Sequence, residues 1–174
     1  TQRRSVAKFH YAADVARSRV PSFEIDEDAF DGIRAWLDKM TDPDSGRAGY
    51  QQRGSGPARP TDLVDRFPAE KSEAMTAVGV LARVFTGENP KSSVAIQNGA
   101  KLCAALPPVW KPAEGAVDMY YWYYGSYAMY QMGGDKYWDP WNKAMKAAVV
   151  DSQRKDGDLK GSWEGLDKDV IVAC

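Results

Sequence analysis

The sequence predicts an all-α chain: helical hairpins with an inner and an outer layer of helices, curved into a partial α/α toroid. Three observations predict it. Apolar residues recur every three or four positions in stretches separated by Gly-, Pro- and Asp-rich loops, and no stretch alternates convincingly as a strand would. Helices apolar nearly all round alternate with helices apolar on one side, as expected if inner helices touch neighbours everywhere and outer ones show a face to water. Two loops, each after an outer helix, share an acidic turn, a glycine and then an aromatic residue. At 174 residues the chain reads as a single domain, 1–174, able to bury about 70% of its unfolded surface.

Val6 to Arg19 is the first expected helix, ended by Pro21. Asp26, Glu27 and Asp28 suit the positive end of a second, whose apolar stripe is Phe30, Ile33, Leu37 and Met40 with Trp36 beside it. Asp42-Pro43-Asp44-Ser45-Gly46 ends that helix, and residues 51–65, rich in Gly, Pro and Arg, read as a long exposed loop. A third helix covers about 69–85. Met75, Val78, Ala82 and Phe85 form one stripe while Val80, Leu81 and Val84 fill other faces, so it is expected to be enclosed. A fourth, about 91–106, turns Val94, Leu102, Ala105 and Leu106 inward, keeps Cys103 on its buried side, and stops at Pro107-Pro108.

The run 118–130 is the richest segment. Its aromatics alone favour a strand, but its length and its bracketing by Pro112 and Gly133-Gly134 favour a helix. On that helix Tyr120, Tyr123, Tyr124 and Tyr127 share one face, and Gly125 and Ala128 leave a flat strip on another, where a neighbouring helix can approach closely. A sixth helix begins near Tyr137, turns Trp138, Trp141, Met145, Ala148 and Val149 inward and Lys143, Lys146 and Asp151 outward, and ends at 153–157.

The loop Asp42-Pro43-Asp44-Ser45-Gly46-Arg47-Ala48-Gly49-Tyr50 rhymes with Asp156-Gly157-Asp158-Leu159-Lys160-Gly161-Ser162-Trp163, as stacked hairpins would require. Gln153-Arg154-Lys155-Asp156-Gly157 followed by Gly161-Ser162-Trp163 resembles the Gln-Trp repeat of squalene/hopene and other terpene cyclases and of protein prenyltransferase beta subunits (prenyltransferase and squalene oxidase repeats). The block from Tyr121 to Gly125, through Gly133-Gly134 to Trp138 and Trp141-Asn142, is similar to uncharacterised bacterial proteins with such repeats. The resemblance spans about residues 27 to 164 and implies an α/α toroid. It implies that Gln153 and Trp163, with Asp156 and Gly157 in the turn between them, tie the end of one helix to the start of the next. Six expected helices make three hairpins, fewer than that family's full ring. The resemblance therefore implies a protein partner or a further toroid segment, and an exposed apolar flank near Tyr120–Tyr130. The stub Val170-Ile171-Val172 stands where another inner helix should begin.

The family's activities do not carry over, because the residues that perform them are missing. There is no Asp-x-Asp-Asp motif as in hopene-type cyclases, no credible Asp-Cys-His zinc triad as in prenyltransferases, and no Cys-Gly-Glu-Gln as in complement-like thioester domains. Two cysteines and one histidine, Cys103, Cys174 and His10, share no ligand spacing, so no metal and no cofactor are expected. His10 reads as a surface histidine and a Cys103–Cys174 disulfide has no support. Asp42–Gly46 and Asp156–Asp158 do not keep the order of a hand-type calcium loop. Lys+Arg 23 against Asp+Glu 24 leaves a net charge of −1, with no basic excess for nucleic acid. No apolar run approaches the roughly 18 residues of a membrane span.

What remains is the aromatic helix. Asp118, Tyr120, Trp122, Tyr123, Tyr124 and Tyr127 are the candidate ligand-binding residues: aromatic faces suit cations, isoprenoids or sugars, and Asp118 adds a carboxylate at the cavity mouth. The competing reading has Asp118 capping the helix and the tyrosines packed between layers. Asp62, Asp65 and Glu70 are possible second carboxylates from the neighbouring loop. The leading expectation is a non-catalytic repeat module that binds a protein or a small apolar ligand. The alternative is an enzyme using an aromatic-lined cavity, terpenoid-cyclase-like or a carbohydrate lyase or hydrolase, with catalytic residues unassigned. Carbohydrate chemistry of the usual kind needs two carboxylates roughly 5–9.5 Å apart. Nothing in the sequence fixes the compartment.

Overall fold

The structure is a computed structural model that describes residues 26–56, 58–68 and 71–163. Five α-helices carry it: α1 (Glu27–Met40), α2 (Ala74–Phe85), α3 (Val94–Ala105), α4 (Met119–Met132) and α5 (Asp139–Val150). A single α-turn at Thr61–Val64, a 3-10 turn at Pro112–Glu114 and a π-turn at Gly134–Trp138 link them. Among the described residues there is no strand, only the isolated bridges Thr41–Ala48 and Gln52–Ser55. The chain is all-α there, as its periodicity requires. The expected helix Val6–Arg19 with His10, and the stub Val170–Val172 with Cys174, lie outside the described residues.

Side-chain caps start three of the helices. The Asp26 carboxylate accepts the Asp28 N–H at 3.1 Å, the Ser93 hydroxyl oxygen accepts the Ile96 N–H at 3.4 Å, and Asp118 accepts the Tyr121 N–H at 3.0 Å. Each satisfies a backbone donor that the first helical turn leaves open.

α2 and α4 form the most extensive helix pairing and run parallel, since Ser72 before α2 hydrogen-bonds Asp118 before α4. α3 runs back antiparallel and packs beside both: the Tyr121 hydroxyl, at the start of α4, reaches the Cys103 and Leu106 carbonyls at the end of α3, both at 3.0 Å. α5 folds back on α4, where the Trp141 indole N–H donates to the Ser126 hydroxyl at 3.0 Å. The core joins Ala77, Val80, Ile96, Cys103, Trp122 and Trp141.

Three expected helix faces are corrected. On α2 the predicted stripe Met75, Val78, Ala82 and Phe85 is the half-buried side, while Ala77, Gly79, Val80 and Leu81 are buried. On α3, Val94 is 67% exposed and Ala105 is exposed; the buried face is Ile96, Gly99, Ala100 and Cys103. The reason is close approach. A Cβ on Gly99 would sit 2.8 Å from Val80 Cγ2, so the side of α3 that meets α2 is its small side. On α1 only Leu37 and Met40 are buried, and Ile33 and Trp36 remain exposed. Polar clasps hold α1 instead. The Arg34 guanidinium donates to the Thr86 carbonyl at 2.6 and 3.1 Å, and buried Arg83 reaches Asp38 at 2.8 Å and Glu88 at 2.7 Å.

The flat strip on α4 does what its composition promised. Gly125 and Ala128 are buried, and the Trp141 ring lies where a Gly125 side chain would stand: a Cβ there would be 2.5 Å from two indole carbons. The ring has little freedom to move, because its N–H is bonded to Ser126 and it stacks edge-on to Tyr121 at 5.6 Å. Gly125→Ala gains about 1 kcal/mol of helix propensity, but overpacking costs about 1–3 kcal/mol. The expected result is a lower thermal midpoint. A variant as stable as the parent would mean that Trp141 is free to shift.

Candidate functional site

α4 carries two opposed aromatic faces. Inward, Tyr121 and Trp122 are buried, Trp122 at 1% exposure, with the Trp110 and Trp122 rings 6.3 Å apart. Outward, Tyr120, Tyr123, Tyr127 and Tyr130 are exposed, Tyr123 by 57% and Tyr130 by 62%, and Tyr124 lies half-buried among them. The outward rings interlock edge-to-face: Tyr120 with Tyr124 at 4.9 Å, and Tyr123 with both Tyr124 and Tyr127 at 5.1 Å. Trp138 extends the row past the helix end, 5.1 Å from Tyr130. Four of the proposed ligand residues, Tyr120, Tyr123, Tyr124 and Tyr127, therefore come together. Trp122 does not: it lies on the opposite side of the helix, in the core. Tyr120, Tyr123, Tyr127 and Tyr130 leave one flank of α4 exposed, in the stretch where an exposed flank was expected. Tyrosine counts as apolar in a pattern, yet its hydroxyl lets a ring face water.

Asp118 is a structural acid. It is buried; Oδ1 caps the helix through the Tyr121 N–H, and Oδ2 accepts from the Ser72 hydroxyl and the Arg59 guanidinium. That guanidinium is sandwiched at 4.6 Å over the Tyr120 ring and 4.9 Å over Phe67. Burial, with Tyr124 close by, raises the Tyr120 phenol above its ordinary value. Arg59 therefore pins the 51–65 segment, otherwise exposed or half-buried at its described positions, to the start of α4. Of the second carboxylates, Asp65 is exposed; Glu70 and the Asp62 side chain lie outside the described residues.

A second buried acid stands at the equivalent place on α2. Glu73 directly precedes the helix, takes Arg47 Nε and Nη2 on one oxygen at 3.0 and 2.6 Å, and takes the Thr76 hydroxyl on the other at 2.6 Å. Both parallel helices thus begin at a buried carboxylate held by an arginine and a hydroxyl. A cavity of about 10 Å³, room for one water, lies beside Arg59, Ser72, Glu73 and Thr76. Cys103 is a buried free thiol whose pKa burial pushes far above the usual range, so it is no nucleophile. Burial likewise keeps the Tyr121 phenol protonated as a donor. Among the described residues no group of three His, Cys, Asp or Glu could hold a metal ion, and no helix is long and apolar enough to cross a membrane.

The rhyming loops share a backbone pinch, in a different register from the one their acids suggest. After α1, the Asp42 N–H donates to the Arg47 carbonyl and the Gly46 N–H returns to Asp42, both at 2.9 Å. After α5, the Arg154 N–H donates to Ser162 at 3.0 Å and the Gly161 N–H returns to Arg154 at 2.9 Å. Gly46 and Gly161 occupy matching left-handed positions, φ 77° and 87°, and the buried residues Ala48 and Trp163 follow at the same offset. Asp42 thus corresponds to Arg154, and not to the exposed Asp156. The Asp42 carboxylate serves its own turn, and its bonds from Ser45 lower its pKa. The Gln153 amide donates to the Gly161 carbonyl at 2.8 Å, the Trp163 indole N–H donates to Val149 at 2.7 Å at the end of α5, and Gly157 sits at φ 69° in the turn.

The sequence reading missed Arg59, Ser72, Glu73 and Arg47, whose partners lie 26 to 59 residues away and leave no local signal. Tyr130 had a signal: it stands three residues after Tyr127 and seven after Tyr123, on the same face. Compared with protein-family models, curated proteins and solved structures, the chain matches none.

Proposed function

We propose that this chain is a non-catalytic helical-repeat module of the squalene-cyclase-like, α/α-toroid type, and that the tyrosine face of α4 is its ligand surface. The observation that carries the reading is that face: four interlocked tyrosines, with Tyr130 paired to Trp138 beyond them, on a helix whose other side is core. Parallel, directly packed α2 and α4, joined in sequence through the reversed α3, support the repeat, as do the matching pinches after α1 and α5. The non-catalytic half rests on Asp118, the acid nearest the face, whose two oxygens are already taken by a helix cap, a hydroxyl and an arginine. Thermal shift of the full chain against isoprenoid alcohols, oligosaccharides and peptides tests this. At least one class should raise the midpoint, the double variant Tyr123→Ala/Tyr127→Ala should lose that rise, and mass spectrometry should recover the ligand intact. A tyrosine-independent response would remove the ligand surface, and a consumed ligand would favour the aromatic-cavity enzyme.

A further inference from the structure

The tyrosine face has a period, a chemistry and a charge that narrow its ligand. It mounts one aromatic step per helical turn, about 5.4 Å, over a rise of about 15 Å from Tyr120 to Tyr130. Each tyrosine that lines it ends in a hydroxyl, and Trp138 at its end carries an indole N–H. Arg59, the cation stacked on its Tyr120 end, is paired with Asp118, so that contact leaves no net charge there and suits a neutral ligand.

Three ligand shapes fit poorly. A proline-rich strand advances about 9.3 Å per three-residue turn and falls out of step with the rings. An amphipathic helix matches the rise, but its aliphatic face would strand the phenol hydroxyls against apolar surface, and an isoprenoid chain would do the same. An extended chain of pyranose rings advances close to one sugar per helical turn. Each sugar offers a C–H face to an aromatic ring and equatorial hydroxyls to the phenols, which both donate and accept.

Resting on the ligand-surface reading above, we propose that the α4 tyrosine face binds a neutral, extended oligosaccharide about three to four rings long. Tyr123, Tyr127 and Tyr130 supply the exposed rings, and Trp138 marks the far end.

The test is a titration of the full chain, with labelled tyrosine rings followed by NMR, using cellotetraose, xylotetraose and chitotetraose. At least one tetraose should shift the Tyr123, Tyr127 and Tyr130 rings, and glucose at equal ring concentration should not. Tyr127→Ala should weaken binding about tenfold, one aromatic contact's worth. Silence with all three tetraoses, or an equal response to glucose, overturns the proposal. If farnesol or a proline decamer shifts these rings while the sugars do not, the sugar assignment fails and the ligand surface stands. If no probe shifts them, both fail.

Discussion

Asp118→Ala is expected to lower the stability of the chain by about 3–5 kcal/mol, the cost of breaking a buried ion pair from one side. The change does three things together. It removes the cap on the Tyr121 N–H, leaves the Ser72 hydroxyl without its acceptor, and strands the Arg59 guanidinium, whose side chain is nine-tenths buried, between Phe67 and Tyr120. The stranded charge should dominate, because a buried unpaired ion costs more than a lost cap of about 1 kcal/mol. Adding Arg59→Met to Asp118→Ala should therefore recover part of the loss. Urea denaturation of both variants reads the difference. A single variant within about 1 kcal/mol of the parent would mean that water reaches the pair and that Asp118 is available to a ligand after all.

The helices were legible because their signals are local. Asp26 and Asp118 cap the helices they precede, and Gly133 ends α4 at a positive φ, as the residue types allow. The close-packed strip of Gly125 and Ala128 was legible for a related reason: only small residues leave room for Trp141. Which side of a helix faces inward was less legible. Residue type ranks Val94 above Gly99, yet the interface with α2 selects Gly99 for its lack of a side chain. The pinch register was misread because acids mark turns conspicuously, whereas the shared geometry is set by Gly46 and Gly161, which tolerate a left-handed backbone. Arg59 was invisible: a single arginine among Gly and Pro carries no sign that its carboxylate is 59 residues on.

Trp122→Ala and Tyr123→Ala, adjacent on α4, are expected to differ in effect by several kcal/mol. Trp122 is fully buried against Trp110, and its loss leaves a cavity worth about 3–5 kcal/mol. Tyr123 gives up only edge contacts to Tyr124 and Tyr127 on an open surface, about 1 kcal/mol or less. Neighbouring positions point about 100° apart on a helix, so the pair reports its rotation directly. Thermal or urea unfolding should show a collapsed midpoint for Trp122→Ala and a nearly unchanged one for Tyr123→Ala. The reverse order would place the tyrosines in the interior and Trp122 at the surface, and both the ligand surface and the oligosaccharide reading would go with it. Such a contrast also separates structure from binding: Tyr123 can then be removed to test the proposed ligand surface without unfolding the chain.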